Sequence, residues 1–183
     1  CPTPRVVCIV DDVRIYPAEK LAAGIALVTV SVRRPGSDVV DPRVKSLNYL
    51  NSALAKLEAR QRGADEALLL NAAGAVAEAS VANVFTVQQG ALATPPPSDG
   101  ALAGITRATV LELARAAGIP AAERSLNRVD LLGAEEVFLT GTGARIVPVG
   151  SLDGQPIGRG PGPVTRRLTE AFDAFAPGAG TPV

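Results

Sequence analysis

The fold class is decided by a run of short strands in residues 66–94, which read EALLLNAAGAVAEASVANVFTVQQGALAT. The apolar runs in this stretch predict four strands, at 66–70, 76–80, 84–87 and 91–94. Turn residues separate the runs, and the Gln-Gly pair at 89–90 predicts a hairpin between the last two strands.

Further elements flank this run on both sides. β-Branched and apolar patterns predict strands at 5–10, 25–32, 121–125, 136–140 and 146–149. Helical periodicity and end signals predict helices or helical turns at 17–23, 46–63, 106–117, 128–132 and 164–175. Because helices alternate irregularly with strands and hairpins, the sequence predicts a mixed α/β domain rather than a purely parallel βαβ fold.

Two of the helix starts carry polar residues that bear on function. Ser46 is predicted to cap a helix that ends at Gly63, and Thr106 is predicted to cap the next long helix. One apolar stripe runs along the first of these helices and consists of Leu47, Leu50, Leu54 and Leu57.

Composition limits the classes of function. A chain of 183 residues forms one domain, and 47% hydrophobic with 20% charged residues excludes a disordered chain. The 18 basic and 18 acidic residues give a net charge of zero, which argues against a nucleic acid or a membrane surface as the main partner. No apolar run reaches the roughly 18 residues that a membrane-spanning helix needs.

Histidine and cysteine usage narrows the chemistry further. The chain has no histidine, which excludes Ser-His-Asp and Cys-His catalysis and most zinc or iron sites. Cys1 and Cys8 form neither a disulfide framework nor a CxxC metal site, and no secretory signal is present. We therefore expect no metal centre and a reducing, cytoplasmic location.

Lys45 is a candidate nucleophile. Only three of the 18 basic residues are lysines, and unlike arginine a lysine can lose its proton and attack a carbonyl carbon. Lys45 directly precedes a predicted helix, whose dipole favours the neutral amine. The alternative is a solvated lysine at a loop–helix junction, and this applies more strongly to Lys20 and Lys56, which lie near Glu19 and Glu58.

Glu78 is a candidate binding group for a cationic partner. It is the only carboxylate in the apolar and small stretch 74–80, where burial is costly unless the charge is paired. A protonated heterocyclic nitrogen is one suitable partner. The alternative is an outward-facing glutamate on an edge strand.

Two glycine-containing turns could each hold an anion. Gly104-Ile105-Thr106 leads into a helix and offers backbone N–H groups with a hydroxyl, and Gly141-Thr142-Gly143 follows a predicted strand. Either turn is also common in ordinary capping and hairpin structure. With the Lys45 amine and the Glu78 carboxylate, they complete the set of groups needed to hold pyridoxal phosphate.

Four motifs, in matching order and spacing, resemble the class IV (fold-type IV) pyridoxal-phosphate aminotransferases. They are Lys45-Ser46-Leu47-Asn48-Tyr49-Leu50-Asn51, Gly74-x-Val76-x-Glu78-x-Ser80-x-x-Asn83-x-Phe85, Leu102-x-Gly104-Ile105-Thr106-Arg107 and Thr140-Gly141-Thr142-Gly143. The last has glycine where the family motif has alanine. The ending, Asp153-Gly154 through Gly162-Pro163-x-Thr165, resembles the branched-chain members, and the resemblance extends from about Arg5 to Phe172.

The resemblance implies a fold and a domain arrangement. Residues 1–176 would form the mixed-sheet pseudo-barrel of the C-terminal domain in the D-amino-acid aminotransferase-like fold, followed by a Gly/Pro-rich tail at 177–183. Family members carry a smaller N-terminal domain ahead of this region, which supplies a phosphate-binding arginine, and no segment here replaces it. Because position 1 is not methionine, we expect processing or missing upstream residues, and a half-site with weak or no turnover.

The resemblance also implies roles for individual residues. Lys45 would hold the cofactor as a Schiff base and then move the α-proton, Tyr49 would bond the phenolic oxygen, and Glu78 would keep the pyridine nitrogen protonated. Leu102 would pack on one face of the ring. The phosphate would be bound by Ile105, Thr106, Gly141 and Thr142. The backbone of Thr142 and Gly143 would also meet the substrate carboxylate.

The implied activity is amino transfer between an aliphatic, branched-chain-like amino acid and 2-oxoglutarate, in a homodimer. Three alternatives stay open. An aminodeoxychorismate lyase shares the scaffold and the Lys-Ser-Leu-Asn run but eliminates pyruvate, and a D-amino-acid transaminase is a further enzyme of this group. A truncated, non-catalytic remnant that only dimerises or binds a partner belongs to a different class.

Overall fold

A mixed sheet with helices on its outer face organises the chain. The structure is a computed structural model that describes residues 3–11, 15–36, 38–158 and 160–179. Cys1 and residues 180–183 of the predicted tail lie outside the described residues. The strands are β1 Ile25–Arg33, β2 Glu66–Leu70, β3 Val76–Ala79, β4 Asn83–Gln88, β5 Ala91–Thr94, β6 Ala121–Glu123, β7 Glu136–Gly141, β8 Arg145–Leu152 and β9 Gln155–Pro156.

The helices are α1 Ala18–Ala23, α2 Leu50–Gln61, α3 Ile105–Ala116, α4 Arg128–Leu132 and α5 Pro163–Phe175. The predicted helices at 17–23, 106–117, 128–132 and 164–175 are therefore confirmed to within about a residue at each end. Short 3₁₀ turns lie at Pro97–Asp99 and Ala176–Gly178.

The sheet mixes both pairing directions, as predicted. Its strands follow the order β3-β2-β1-β8-β7-β4-β5-β6, with β9 paired to β8. The β1–β2, β1–β8 and β5–β6 pairs are parallel, and the other pairs are antiparallel. β3 and β4 stand at separate places in this order but follow each other in the chain, joined by a short turn in which the Ala79 N–H donates to the Ala82 carbonyl at 2.8 Å. The sheet therefore curls so that its edge strand β3 contacts β4, as in the pseudo-barrel that the resemblance implies.

Side chains that alternate along each strand build cores on both faces of the sheet. Ile25 and Leu27 of β1 enter the inner core, whereas Val28 and Val30 pack on the other face against Ala55 and Ala59 of α2. Further along the outer face, the stacked rings of Phe85 and Phe138, 5.0 Å between centroids, lie under α3 and α5. The cores fix the strand ends that carry the candidate site.

The predicted strand at 5–10 is wrong. Residues 3–11 contain no strand, and the valines and isoleucine of this segment are 81–93% exposed. A β-branched run forms a strand only where another strand pairs with it, and no strand of the described chain lies beside this segment.

The predicted start of the helix at 46–63 is also wrong, although its end near Gly63 is confirmed. α2 begins at Leu50, with Tyr49 at the N-cap position, and Ser46 instead accepts a hydrogen bond from the Asn48 N–H at 3.3 Å. The side of α2 that meets the sheet consists of Ser52, Ala55 and Ala59. The leucine stripe lies on the exposed side, where Leu47, Leu50, Leu54 and Leu57 are 99, 67, 47 and 51% exposed.

The predicted cap of α3 shifts by two residues. Gly104 occupies the N-cap position, and Thr106 lies inside the first turn of the helix and is buried. The structure gives this helix no side-chain cap. The first backbone N–H groups of α3 are consequently not satisfied by a capping side chain.

Candidate active site

A cleft of about 370 Å³ collects the predicted site residues. It lies between the loop that joins β1 to α2, the strands β3 and β4, the loop before α3 and the end of β7. All of the predicted site residues except Gly143 line it, namely Lys45, Tyr49, Glu78, Leu102, Ile105, Thr106, Gly141 and Thr142. Gly143 is exposed in the adjoining turn.

Lys45 and Tyr49 form one edge of the cleft. Lys45 lies among tight turns, in which the Ser46 N–H donates to Val44 O and the Tyr49 N–H donates to Leu47 O, both at 2.9 Å. Lys45 Nζ donates to the Tyr49 hydroxyl and lies 5.1 Å from the centre of its ring. The residue is exposed, so a small molecule can reach the amine. The expected position directly at a helix N-terminus is wrong, because α2 begins at Leu50.

Glu78 lines the same cleft and is only 6% exposed. Its Oε1 atom lies 2.9 Å from Nη2 of Arg34, and its Oε2 atom accepts the Leu102 N–H at 2.9 Å. Burial raises the pKa of the Glu78 carboxyl above its ordinary value, while the Arg34 guanidinium, the Leu102 N–H and the Lys45 ammonium counter part of the rise. The alternative of an outward-facing glutamate is wrong.

Asn83 ties the acid to the loop before α3. Its Nδ2 donates to Glu78 Oε2 at 3.2 Å and to Leu102 O at 2.8 Å. The matched motif contained this residue, but the sequence assigned it no role. A Cβ atom on Gly104 would lie 2.3 Å from Asn83 Oδ1, so glycine is the residue that fits this close approach.

The start of α3 and the end of β7 form the polar end of the cleft. Thr106 is buried and Ile105 is 81% exposed, and the uncapped N–H groups of this first turn suit an anion. The same cleft is lined by Gly141, the last residue of β7, and by the exposed Thr142 in the turn that follows.

Two polar atoms at the cleft lack partners among the described residues. Thr140 is 1% exposed, and its Oγ1 atom neither donates nor accepts a hydrogen bond within the described chain. The Oδ1 atom of Asn51 also accepts no hydrogen bond there, although the Nδ2 atom of the same side chain donates to Arg33 O at 2.8 Å. Both residues line the cleft. A buried hydroxyl without a partner is costly, so the cleft suits a ligand with polar groups.

Arg34 is a second cleft residue, besides Asn83, to which the sequence assigned no role. It follows β1 directly and enters the cleft beside Glu78. The pair joins residues that are 44 positions apart, and only the fold reveals it. The available signal was Glu78 itself, because a carboxylate in the apolar stretch 74–80 needs a paired charge wherever it is buried.

The described part of the chain shows neither a membrane-spanning helix nor a cluster of metal-ligating side chains. None of its helices combines the length and the apolar character needed to cross a lipid bilayer. Its described residues contain no group of three or more histidine, cysteine, aspartate or glutamate side chains that could hold a metal ion.

Comparison with known proteins identifies the family. The family model for amino-transferase class IV matches residues 1–152. The chain belongs to the class IV aminotransferase family.

Individual relatives agree with this assignment. The chain is 46% identical over 173 residues to a putative branched-chain-amino-acid aminotransferase of Methanocaldococcus jannaschii, covering 94% of this chain and 59% of that protein. It is 41% identical over 157 residues to the branched-chain-amino-acid aminotransferase of Escherichia coli K12, covering 85% of this chain and 51% of that protein. The chain thus spans somewhat more than half the length of these relatives.

Solved structures show the same similarity in three dimensions. The branched-chain amino acid aminotransferase from Thermobaculum terrenum in its PLP-form superposes with a TM-score of 0.83 at 41% identity, covering 86% of this chain and 52% of that one. The Escherichia coli enzyme superposes with a TM-score of 0.84 at 40% identity, covering 87% and 53%. The predicted fold class is confirmed.

Proposed function

We propose that this chain is the cofactor-binding part of a pyridoxal-phosphate-dependent aminotransferase that moves an amino group between a branched-chain amino acid and a 2-oxo acid. One observation carries the proposal: the Lys45 amine, the Tyr49 phenol and the buried Glu78 carboxylate line one cleft with the start of α3. The names of the relatives support the substrate class. The solved relative in its PLP-form supports the cofactor.

The cleft has the properties that the cofactor requires. Its volume of about 370 Å³ lies within the range of roughly 300–1,000 Å³ that small-molecule pockets occupy. The uncapped first turn of α3 suits a phosphate group, and the Thr140 hydroxyl needs a polar partner. The buried Glu78 carboxylate suits a protonated ring nitrogen, and the Lys45 amine suits an aldehyde carbon.

Each residue has a distinct task in this proposal. The cofactor, when bound, supplies an electron sink that stabilises the charge left on the substrate α-carbon after the proton is removed. Lys45 Nζ would hold the cofactor covalently in the resting protein and, once released, would accept the α-proton. Tyr49 would donate to the phenolic oxygen, and Glu78 would keep the ring nitrogen protonated. Leu102 would cover one face of the ring and exclude water from it.

Binding of the phosphate and of the substrate carboxylate falls to the polar end of the cleft. Ile105 and Thr106 bring the backbone N–H groups of α3, and Gly141 and Thr142 approach from β7. The backbone of Thr142 and Gly143 is proposed to meet the substrate carboxylate. Gly143 is exposed in the turn next to the cleft, and the proposal gives it no contact with the cofactor.

The complete protein is needed for turnover. Residues 1–176 are proposed to be its cofactor domain, with 177–183 as a tail, because the relatives extend well beyond the matched region. The rest of the protein would supply a phosphate-binding arginine and much of the substrate pocket. The exposed leucine stripe at the start of α2 supports a homodimer. The low cysteine content of the sequence, two in 183 residues, supports a reducing, cytoplasmic location.

A covalent trapping experiment tests the cofactor assignment. The complete protein is mixed with pyridoxal phosphate, reduced with borohydride and digested, and the modified peptide is identified by mass spectrometry. Label on Lys45 supports the proposal. A folded protein without label on Lys45 would favour a non-catalytic remnant.

A substrate assay separates the enzymatic alternatives. Amino transfer from L-leucine to 2-oxoglutarate without release of pyruvate supports the proposed reaction. Pyruvate release from aminodeoxychorismate would assign the lyase instead, and selective use of D-amino acids would assign a D-amino-acid transaminase.

A further inference from the structure

We infer that Arg34 is a positioning residue of this site, which holds Glu78 as an ionised carboxylate at the cleft and thereby keeps the proton on the ring nitrogen of the cofactor. The inference rests on the proposed function. It assigns to Arg34 a task in the reaction without contact to the substrate.

Both the main chain and the side chain of Arg34 are held by polar contacts. Its backbone N–H donates to Leu70 O at 2.9 Å, which holds the main chain beside β2. Its Nε donates to Gly100 O at 3.0 Å, and its Nη2 lies 2.9 Å from Glu78 Oε1. The Arg34 and Glu78 side chains are 20% and 9% exposed, so water screens this ion pair only weakly. The guanidinium thus has one defined position relative to the carboxylate.

The carboxylate has little spare acceptor capacity. An ionised carboxylate offers about four acceptor positions. Asn83 Nδ2 and the Leu102 N–H fill two on Oε2, and Arg34 fills one on Oε1. The remaining position belongs to Oε1, the oxygen that Arg34 holds. A donor arriving in the cleft therefore meets an oxygen whose charge and orientation depend on Arg34.

The charge of Arg34 decides where a shared proton resides. Burial favours the neutral carboxylic acid form of Glu78, and the nearby cation favours the carboxylate. The charged groups that act on Glu78 within the described residues are Arg34 and Lys45. A cofactor ring nitrogen bound in the cleft would share one proton with the Glu78 carboxylate. With Arg34 present the proton would stay on the nitrogen, and without Arg34 it would move to the carboxylate and leave the nitrogen neutral.

A neutral ring nitrogen makes the cofactor a weaker electron sink, so removal of the substrate α-proton becomes slower. Binding of the cofactor depends mainly on Lys45 and the phosphate contacts and should change little. The inference therefore predicts a loss in the rate of proton removal that is separate from cofactor loading.

The experiment compares three variants of the complete protein. Arg34→Met removes the positive charge but keeps a side chain of similar length. Arg34→Lys keeps the charge but cannot bond Gly100 O and Glu78 at the same time. Arg34→Gln has no charge but keeps an amide N–H that can donate to Gly100 O. Arg62→Met is the matched control, because Arg62 also joins one carboxylate, Glu58 at 3.6 Å, and one carbonyl, Thr29 O at 2.6 Å, away from the cleft.

Four readouts are taken: borohydride trapping at Lys45, kcat, KM and the kinetic isotope effect with α-deuterated leucine. We expect Arg34→Met to keep full trapping, to lower kcat by about tenfold or more and to increase the isotope effect, with KM within about threefold. Arg34→Lys should restore most of the rate, and Arg62→Met should match the parent protein. In a Glu78→Gln background, Arg34→Met should cause no further loss.

Three results would overturn the inference. These are an unchanged kcat and isotope effect in Arg34→Met, an Arg34→Lys variant as slow as Arg34→Met, or an additive loss in the Glu78→Gln background. If Arg34→Met does not fold, Arg34→Gln decides by the same criteria. Failure of the proposed function is distinguishable, because the parent protein itself would then show no trapping at Lys45.

Discussion

Gly104 and Asn83 are packed so closely that a Cβ atom at position 104 would lie 2.3 Å from Oδ1 of Asn83. The backbone of Gly104 has an ordinary φ of −70°, so the glycine is required by space rather than by conformation. Asn83 in turn orients the Glu78 carboxylate and the Leu102 carbonyl. A single missing side chain thus allows Glu78, Leu102 and the start of α3 to meet.

We expect Gly104→Ala to displace Asn83 and to weaken both cofactor binding and the fold. Overpacking of this kind costs about 1–3 kcal/mol of unfolding free energy. Urea denaturation and a pyridoxal phosphate titration measure the two effects. Gly133→Ala is the control, because its φ is −87° and its Cβ would meet nothing closer than Val129 O at 3.4 Å. Equal losses in both variants would remove the steric explanation.

Lys45→Arg tests the nucleophile without disturbing the fold. Arginine cannot form the covalent bond to the cofactor, so borohydride trapping at position 45 should disappear. Because Lys45 is exposed, we expect the unfolding free energy to stay within about 0.5 kcal/mol of the parent value. Lys20→Arg, which affects the exposed pair with Asp65 at 3.0 Å, should leave trapping intact. Label that persists elsewhere in Lys45→Arg at full yield would refute the assignment.

Local patterns predict much of this fold because most strands carry their own turn signals. The hairpin of β4 and β5 is an example, since the Gln-Gly pair between them fixes the pairing. Residues 5–10 have a similar local pattern and form no strand. Whether a segment pairs with another strand depends on the tertiary fold, so a local sequence pattern does not predict it.

Some residues of the candidate site could likewise be predicted from the sequence, and others could not. The scarcity of lysine and the apolar surroundings of Glu78 point to two chemically unusual residues, and the family motifs supply the others. Arg34 escapes this reasoning, because one arginine among 15 carries no local sign that it contacts a buried carboxylate. The dipole argument for Lys45 fails because a start signal at Ser46 is followed by turns, and the helix forms only at Leu50.

The two faces of α2 should respond differently to a charge. Leu54 is 47% exposed, whereas its neighbour Ala55 is fully buried against the sheet. We expect Leu54→Glu to leave the chain folded and to weaken assembly of the complete protein, as measured by light scattering. Ala55→Glu should cost roughly 3 kcal/mol or more in unfolding free energy, because it buries an unpaired charge. A similar cost for both substitutions would place the leucine stripe in the core of the chain instead.

Asp153 should make the stability of the fold depend on pH. Its Oδ1 accepts the Thr29 N–H at 2.6 Å, its Oδ2 accepts the Thr29 hydroxyl at 2.8 Å, and Arg128 Nε donates to the same Oδ2. These bonds tie the turn after β8 to β1. Burial works to raise the pKa of Asp153, but the Arg128 and Thr29 hydrogen bonds outweigh it and hold this pKa below the ordinary value of 3.8.

A carboxyl with a lowered pKa stabilises the folded state above its unfolded pKa, and the contribution is lost as the pH falls through the folded pKa. We therefore expect Asp153→Asn to cost about 2 kcal/mol in unfolding free energy at neutral pH, with the difference shrinking below pH 3.8. Asp173→Asn is the control, because its pair with Arg145 is 47% and 57% exposed and should contribute less than about 0.5 kcal/mol. Urea denaturation at neutral pH and at about pH 3 makes the comparison. A cost for Asp153→Asn that is the same at both pH values would show that Asp153 acts through packing rather than through its charge.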